Sequence, residues 1–219
     1  DIIAADLDLD AADGIGETSR LEISVDTFDA DTDGLGAASI NLLSNNNDDV
    51  EGAGITTLGT NAKVTIEQIG GGDLTIGSAT TADGNISVTV AEANLSMGAT
   101  TAGTDGNIAL DALDESVTVT GDASAGGSID IDAGSTVLID TENVVAGTSI
   151  DVTALADVTV DNSTDNDPVL IDAGTTLTMT SQEEDITLDN AGAGNPAVTL
   201  EADGDLELNT PLGATRLAG

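Results

Sequence analysis

Carboxylates are the side chains in this sequence that could do chemistry. Asp29, Asp31 and Asp33 alternate along the chain and Gly34 follows them. Alternating acids closed by a glycine suit an oxygen-ligand site for calcium. The pattern fails at its far end, because the twelfth position is Ile40, where an EF-hand needs a bidentate Glu. A solvated acidic turn over 29–34 is the competing reading. Asp6, Asp8 and Asp10 form a weaker set and read more simply as the outer side of a strand. A second arrangement depends on a repeat. Sliding Gly127–Asp161 by 21 positions sets Asp130 on Asp151 and Asp140 on Asp161. If each copy is one layer of a stack, these acids form a ladder about 5 Å apart, repelling by about 0.8 kcal/mol per pair in bulk water. Such a ladder favours screening salt or bridging divalent cations, calcium first among them.

Other chemistry is poorly supplied. The chain has 219 residues, with 41 Asp plus Glu against 3 Lys plus Arg, a net charge of -38, and no His or Cys. A Ser nucleophile would lack a His base. Dozens of acids guarantee some pair at glycosidase spacing, so such a pair carries no information. Sugar-stacking platforms need aromatics, and Phe28 stands alone. The expectation is that the protein is not an enzyme. Three basic residues, Arg20, Lys63 and Arg216, are too few for nucleic-acid binding through phosphates. The sequence contains no apolar run long enough for a membrane span. It starts at Asp1 without a signal-peptide pattern, so a processed product or an excised segment is expected.

The elements that must position these acids are short strands. From about Lys63, apolar-polar-apolar triplets recur. Ile86, Ile108, Ile129 and Ile150 follow each other at steps of 22, 21 and 21; Leu95, Val117, Val137 and Val158 at 22, 20 and 21. Successive strand residues point to opposite faces, so the flanking aliphatics turn inward and the middle residue outward. A strand-type unit repeating every 20–22 residues marks a solenoid. The fold class expected is all-β, a parallel β-helix with two or more short strands per rung. A β-sandwich would not require equivalent positions to recur at this period. Residues 63–219 are the regular rungs. Residues 1–62 belong to the same continuous domain but are less regular, with strands near Leu7–Leu9, Leu21–Val25 and Ile40–Leu42 and polar loops at 29–34 and 44–49. The steps are expected to shorten and vary after Val160, where DNSTDND makes a loop.

The unit GxIxIxAxxxVxIx resembles the strand repeats of filamentous-haemagglutinin-like and giant secreted bacterial surface proteins. AADGIGETSRLEISVDTFDADTDG (11–34), GGGDLTIGSATTADGNISVTV (70–90) and TPLGATRLAG (210–219) are similar to segments of that family. The family's frequent Asn-Pro is replaced by Ser19-Arg20. The resemblance implies a right-handed coil, export, and a role in a fibre, stalk or adhesive surface outside a bacterial cell. It brings no catalytic residues.

Two functions follow as expectations: a structural segment of a surface fibre, or a calcium-dependent adhesin for polysaccharide or a host. Neither end shows an amphipathic cap, so further rungs of a longer chain, or copies stacked end to end, are the expected partners alongside divalent cations. Outward threonines such as Thr65, Thr75 and Thr118 fit β-propensity better than an ice-binding array. The sequons at Asn85, Asn94 and Asn162 read as chance matches.

Overall fold

The computed structural model describes residues 2–34, 36–162, 168–189 and 197–218. β1 (Ile2–Ile3) and β2 (Asp6–Ala11) open the chain. β3 (Leu21–Ser24), β4 (Thr27–Thr32), β5 (Ile40–Ser44) and β6 (Val50–Thr60) follow. Next come β7 (Val64–Gln68), β8 (Leu74–Asp83), β9 (Ile86–Val90) and β10 (Leu95–Ala102). Each rung then divides into three strands: β11 (Ile108–Ala112), β12 (Val117–Val119) and β13 (Ala123–Ala125); β14 (Ile129–Ala133), β15 (Val137–Ile139) and β16 (Asn143–Ala146); β17 (Ser149–Ala154), β18 (Val158–Asp161) and β19 (Val169–Ala173). β20 (Thr176–Ser181), β21 (Ile186–Asp189) and β22 (Val198–Ala202) make another such rung. β23 (Leu206–Asn209) and β24 (Thr215–Ala218) come last.

These strands stack in parallel as a β-solenoid. One face is a 10-stranded sheet, β1-β3-β5-β7-β9-β11-β14-β17-β20-β23. The second runs β2-β4-β6-β8-β10-β12-β15-β18-β21-β24. The registers match the sequence periodicity: Ile86↔Ile108↔Ile129↔Ile150 and Leu95↔Val117↔Val137↔Val158 are direct partners. Both series are buried, as alternation along a one-sided strand requires. Each isolated rung leaves one side of its apolar triplets bare, so burial exists only through stacking.

A third face was not evident from the periodicity. It begins in the second halves of β4, β6, β8 and β10 and continues as β13-β16-β19-β22. Its inward column runs Ala30, Ile55, Ala79, Thr100, Ala123, Val144, Ile171, Leu200. Half of these are Ala or Thr, too small or polar to signal a strand. The apolar triplets Val169–Ile171 and Val198–Leu200, which a two-strand period would count as further steps of the first two faces, belong to this third face.

That reassignment corrects the expectation of shorter late rungs. Ile150 pairs with Leu177 and Leu177 with Leu206, so the step grows to 27 and then 29 residues. The added length lies between β18 and β19 and between β21 and β22, while the strands of each rung are kept.

Residues 1–62 stack continuously with the rest, β5 on β7 and β6 on β8. Asp29–Thr32, read above as part of a polar loop, lie within β4. The register shifts between Phe28 and Ala30, where the β6 partners jump from Gly52 to Ile55, a bulge that absorbs one extra residue.

Candidate functional site

Asp130 stands directly beside Asp151 across the β14–β17 pair, as the 21-residue slide requires. The structure adds a second pair. Asp111 on β11 partners Asp132 on β14, two residues along the same outward side. Four carboxylates thus form a staggered line across three rungs, Asp111–Asp132–Asp130–Asp151, with neighbours about 4.8 Å apart between strands and about 6.6 Å apart along β14. The packed sheet beneath raises the Asp130 carboxyl above the usual range by partial desolvation; repulsion from Asp132, Asp151 and Asp111 adds to this. Asp111 and Asp151 are raised in the same way, by desolvation first and by Asp132 second. The array stores repulsion, and a cation or a proton would relieve it.

The other sequence candidates are placed as follows. Asp161 partners Asp189 across β18 and β21. Asp140 directly follows β15, whose last residue Ile139 partners Val160, so it continues the same column. All three are half-buried. Asp29 and Asp31 lie on the outward side of β4, over Asp8 and Asp10 of β2. Asp33 falls just past that strand, its N–H donating to the Ala11 carbonyl at 3.4 Å. β4 therefore spreads Asp29 and Asp31 along one side of an extended strand, with Asp33 just beyond its end. Desolvation, then Asp31 and Asp8, raise the Asp29 carboxyl. Among the described residues, no three acids converge closely enough to hold a metal ion.

A different set of polar side chains carries clear structural work. At several corners the residue just before a strand accepts a hydrogen bond from a backbone N–H one rung later. Asp49 Oδ1 accepts Asp73 N at 3.1 Å, Asp73 Oδ1 accepts Asn94 N at 3.0 Å, and Asn94 Oδ1 accepts Ser116 N at 3.2 Å. At the corner before the first face, Asn85 Oδ1 accepts Asn107 N at 3.0 Å and Asn107 Oδ1 accepts Ser128 N at 2.7 Å. Asp122 Oδ1 does the same for Asn143 N at 2.9 Å, and Asp185 Oδ1 for Ala214 N at 2.8 Å. Corner amides fall outside the strand ladders, and an oxygen-bearing side chain satisfies them. The signal was present as Asp, Asn, Ser or Thr immediately before apolar triplets. The same residues also mark ordinary turns, so alone they do not distinguish the two.

This ladder also explains two of the sequons. The Asn94 side-chain amide donates to Asp73 Oδ1 at 3.0 Å, and Asn85 Oδ1 also accepts the Asn107 side-chain amide at 3.2 Å. Both asparagines are spent holding rungs together. The Asn162 sequon continues into residues 163–164, outside the described residues.

Two of the three cations are engaged with acids: Arg20 with Glu67, and Arg216 with Asp185 at 2.8 Å. Among the described residues no helix is long and apolar enough to cross a membrane. No protein-family model, no curated protein and no solved structure matches the chain. The resemblance to haemagglutinin-like repeats therefore rests on the solenoid architecture and its repeating unit.

Proposed function

We propose that this chain is a structural spacer: a β-solenoid segment of a fibre or stalk exposed outside a bacterial cell. The observation that carries this is the core itself. It runs unbroken through ten stacked strands of one face, and the conspicuous side-chain chemistry is rung-to-rung stapling. A solenoid of this kind lengthens by about 4.8 Å per rung without changing its cross-section. The inward leucines of the last strands, Leu206 at 45% and Leu217 at 80% exposure, lie on columns that further rungs would continue. The net charge of -38 keeps neighbouring fibres apart laterally. No catalytic step is assigned to the chain.

Immunogold electron microscopy of producing cells, with antibody raised against this chain, tests the proposal. Label on filaments or a layer outside the cell is expected; label confined to the cytoplasm would overturn it.

A calcium-dependent adhesive role is a second reading, favoured by the registered array of Asp111, Asp130, Asp132 and Asp151. It requires millimolar calcium to raise the melting temperature more than the same ionic strength of sodium chloride does.

A further inference from the structure

At the corner where the first face ends, three successive rungs stack Leu113, Gly134 and Leu155. Backbone bonds fix them there: Leu113 N donates to Val90 O at 2.9 Å, Gly134 N to Ala112 O at 2.8 Å and Leu155 N to Ala133 O at 3.1 Å. Both leucines are exposed, Leu113 at 56% and Leu155 at 41%. They stand two rungs apart, about 9.6 Å, with bare backbone between them. A Cβ at position 134 would lie 2.1 Å from the Leu113 carbonyl oxygen, so the gap cannot be filled from that position without a backbone shift. An open groove of about 610 Å³ results, with Asp111, Asp132 and Thr153 along its side.

We infer that this groove binds lysine side chains of a basic polypeptide, the stem lying between Leu113 and Leu155 and the ammonium beside Asp111 and Asp132. The dimensions fit that occupant. A gap of about 9.6 Å admits one aliphatic chain in van der Waals contact with both leucines. Asp111 lies two residues before Leu113 on the same outward side, about 6.6 Å away along the strand, matching the reach of a four-carbon stem. Lysine lays such a stem on apolar surface and keeps its charge at a polar rim. A bare metal ion would make no use of the leucines. A second copy of this chain is a poor occupant, since its own net charge is -38 and its single lysine is Lys63. Charge and shape together therefore select a cationic, lysine-bearing partner.

Two peptides of equal charge separate this from general attraction of cations to an acidic surface: trilysine, and triornithine, whose stem is one methylene shorter. Titration into the whole chain, followed by calorimetry and by the methyl resonances of Leu113 and Leu155, should show trilysine binding about fourfold tighter, the effect of burying one methylene. Leu113→Ser with Leu155→Ser leaves the charge unchanged and should erase that preference. Asp132→Asn keeps the leucines and should weaken both peptides at the groove. Equal affinity for the two peptides, or a preference that survives the serine substitutions, would overturn the inference. So would methyl resonances that stay fixed while trilysine binds.

Discussion

Replacing Asp130 by Asn should stabilise this protein, against the usual direction of point mutation. Asp130 lies about 4.8 Å from Asp151, about 6.6 Å from Asp132 and about 8 Å from Asp111 by strand geometry. At those separations the three charges repel it by about 2 kcal/mol in unscreened water. Salt at 0.15 M, with a Debye length of about 8 Å, reduces this to about 1 kcal/mol. Asn keeps the shape and removes the charge, so the melting temperature should rise by about 2–4 °C for a chain of this length. In 1 M salt the Debye length of about 3 Å should cut the gain to about a third. The pH dependence has a definite sign. The folded-state carboxyls of Asp111, Asp130 and Asp151 are raised, so the folded chain holds those protons more tightly than the unfolded chain. Their ionisation destabilises fully at neutral pH, and the penalty fades as pH falls through the raised values toward the unfolded carboxylate range. The advantage of Asp130→Asn should be present at pH 7 and gone at pH 3. Thermal melts by circular dichroism at both pH values and both salt concentrations decide the matter. A variant no more stable at pH 7 and low salt, or equally advantaged at pH 3, would refute the electrostatic reasoning.

Three further outcomes are expected from the rung contacts. Asn107→Ala removes the acceptor for Ser128 N and should cost about 1–3 kcal/mol, whereas Asn107→Asp, which keeps that oxygen, should cost less; urea denaturation compares them. Gly84→Ala would set a Cβ 1.7 Å from the Ala62 carbonyl oxygen and should lower stability by about 1–3 kcal/mol, seen as a lower melting temperature. Ile131→Ala empties a fully buried position between Leu110 and Val152 and should cost about 2–5 kcal/mol, measured by the same urea titration.

The two faces rich in Ile, Leu and Val were legible because their inward columns repeat at nearly constant spacing. That spacing alone placed Asp130 beside Asp151. The third face was hidden because Ala79, Thr100 and Ala123 carry no apolar signal of their own; they are buried by what stacks around them. Asp29–Thr32 looked like a turn because its polar residues dominate. On a strand the same acids simply point outward, while Phe28 and Ala30 point into the core. Asp111 and Asp132 lay in the repeat as plainly as Asp130 and Asp151 did. Their pairing spans β14 and β11, the latter one rung before the Gly127–Asp161 duplication begins. The corner ladder of Asn94 and Asn107 needs positions on two rungs at once, which composition and alternation do not supply.

The acid line, the corner bonds and the groove all depend on stacking in this register, and a disulfide can test it directly. The chain has no Cys, so an introduced pair gives a clean readout. Asp130→Cys with Asp151→Cys places two thiols on partnered residues, about 4.8 Å apart at Cα and within disulfide range. Asp130→Cys with Thr153→Cys uses the same outward side two residues further along, about 8 Å apart and beyond that range. Under mild oxidation of dilute protein, the first pair should close within one chain and the second should stay reduced. Equal closure of both pairs, or closure of the second alone, would contradict the stacked solenoid.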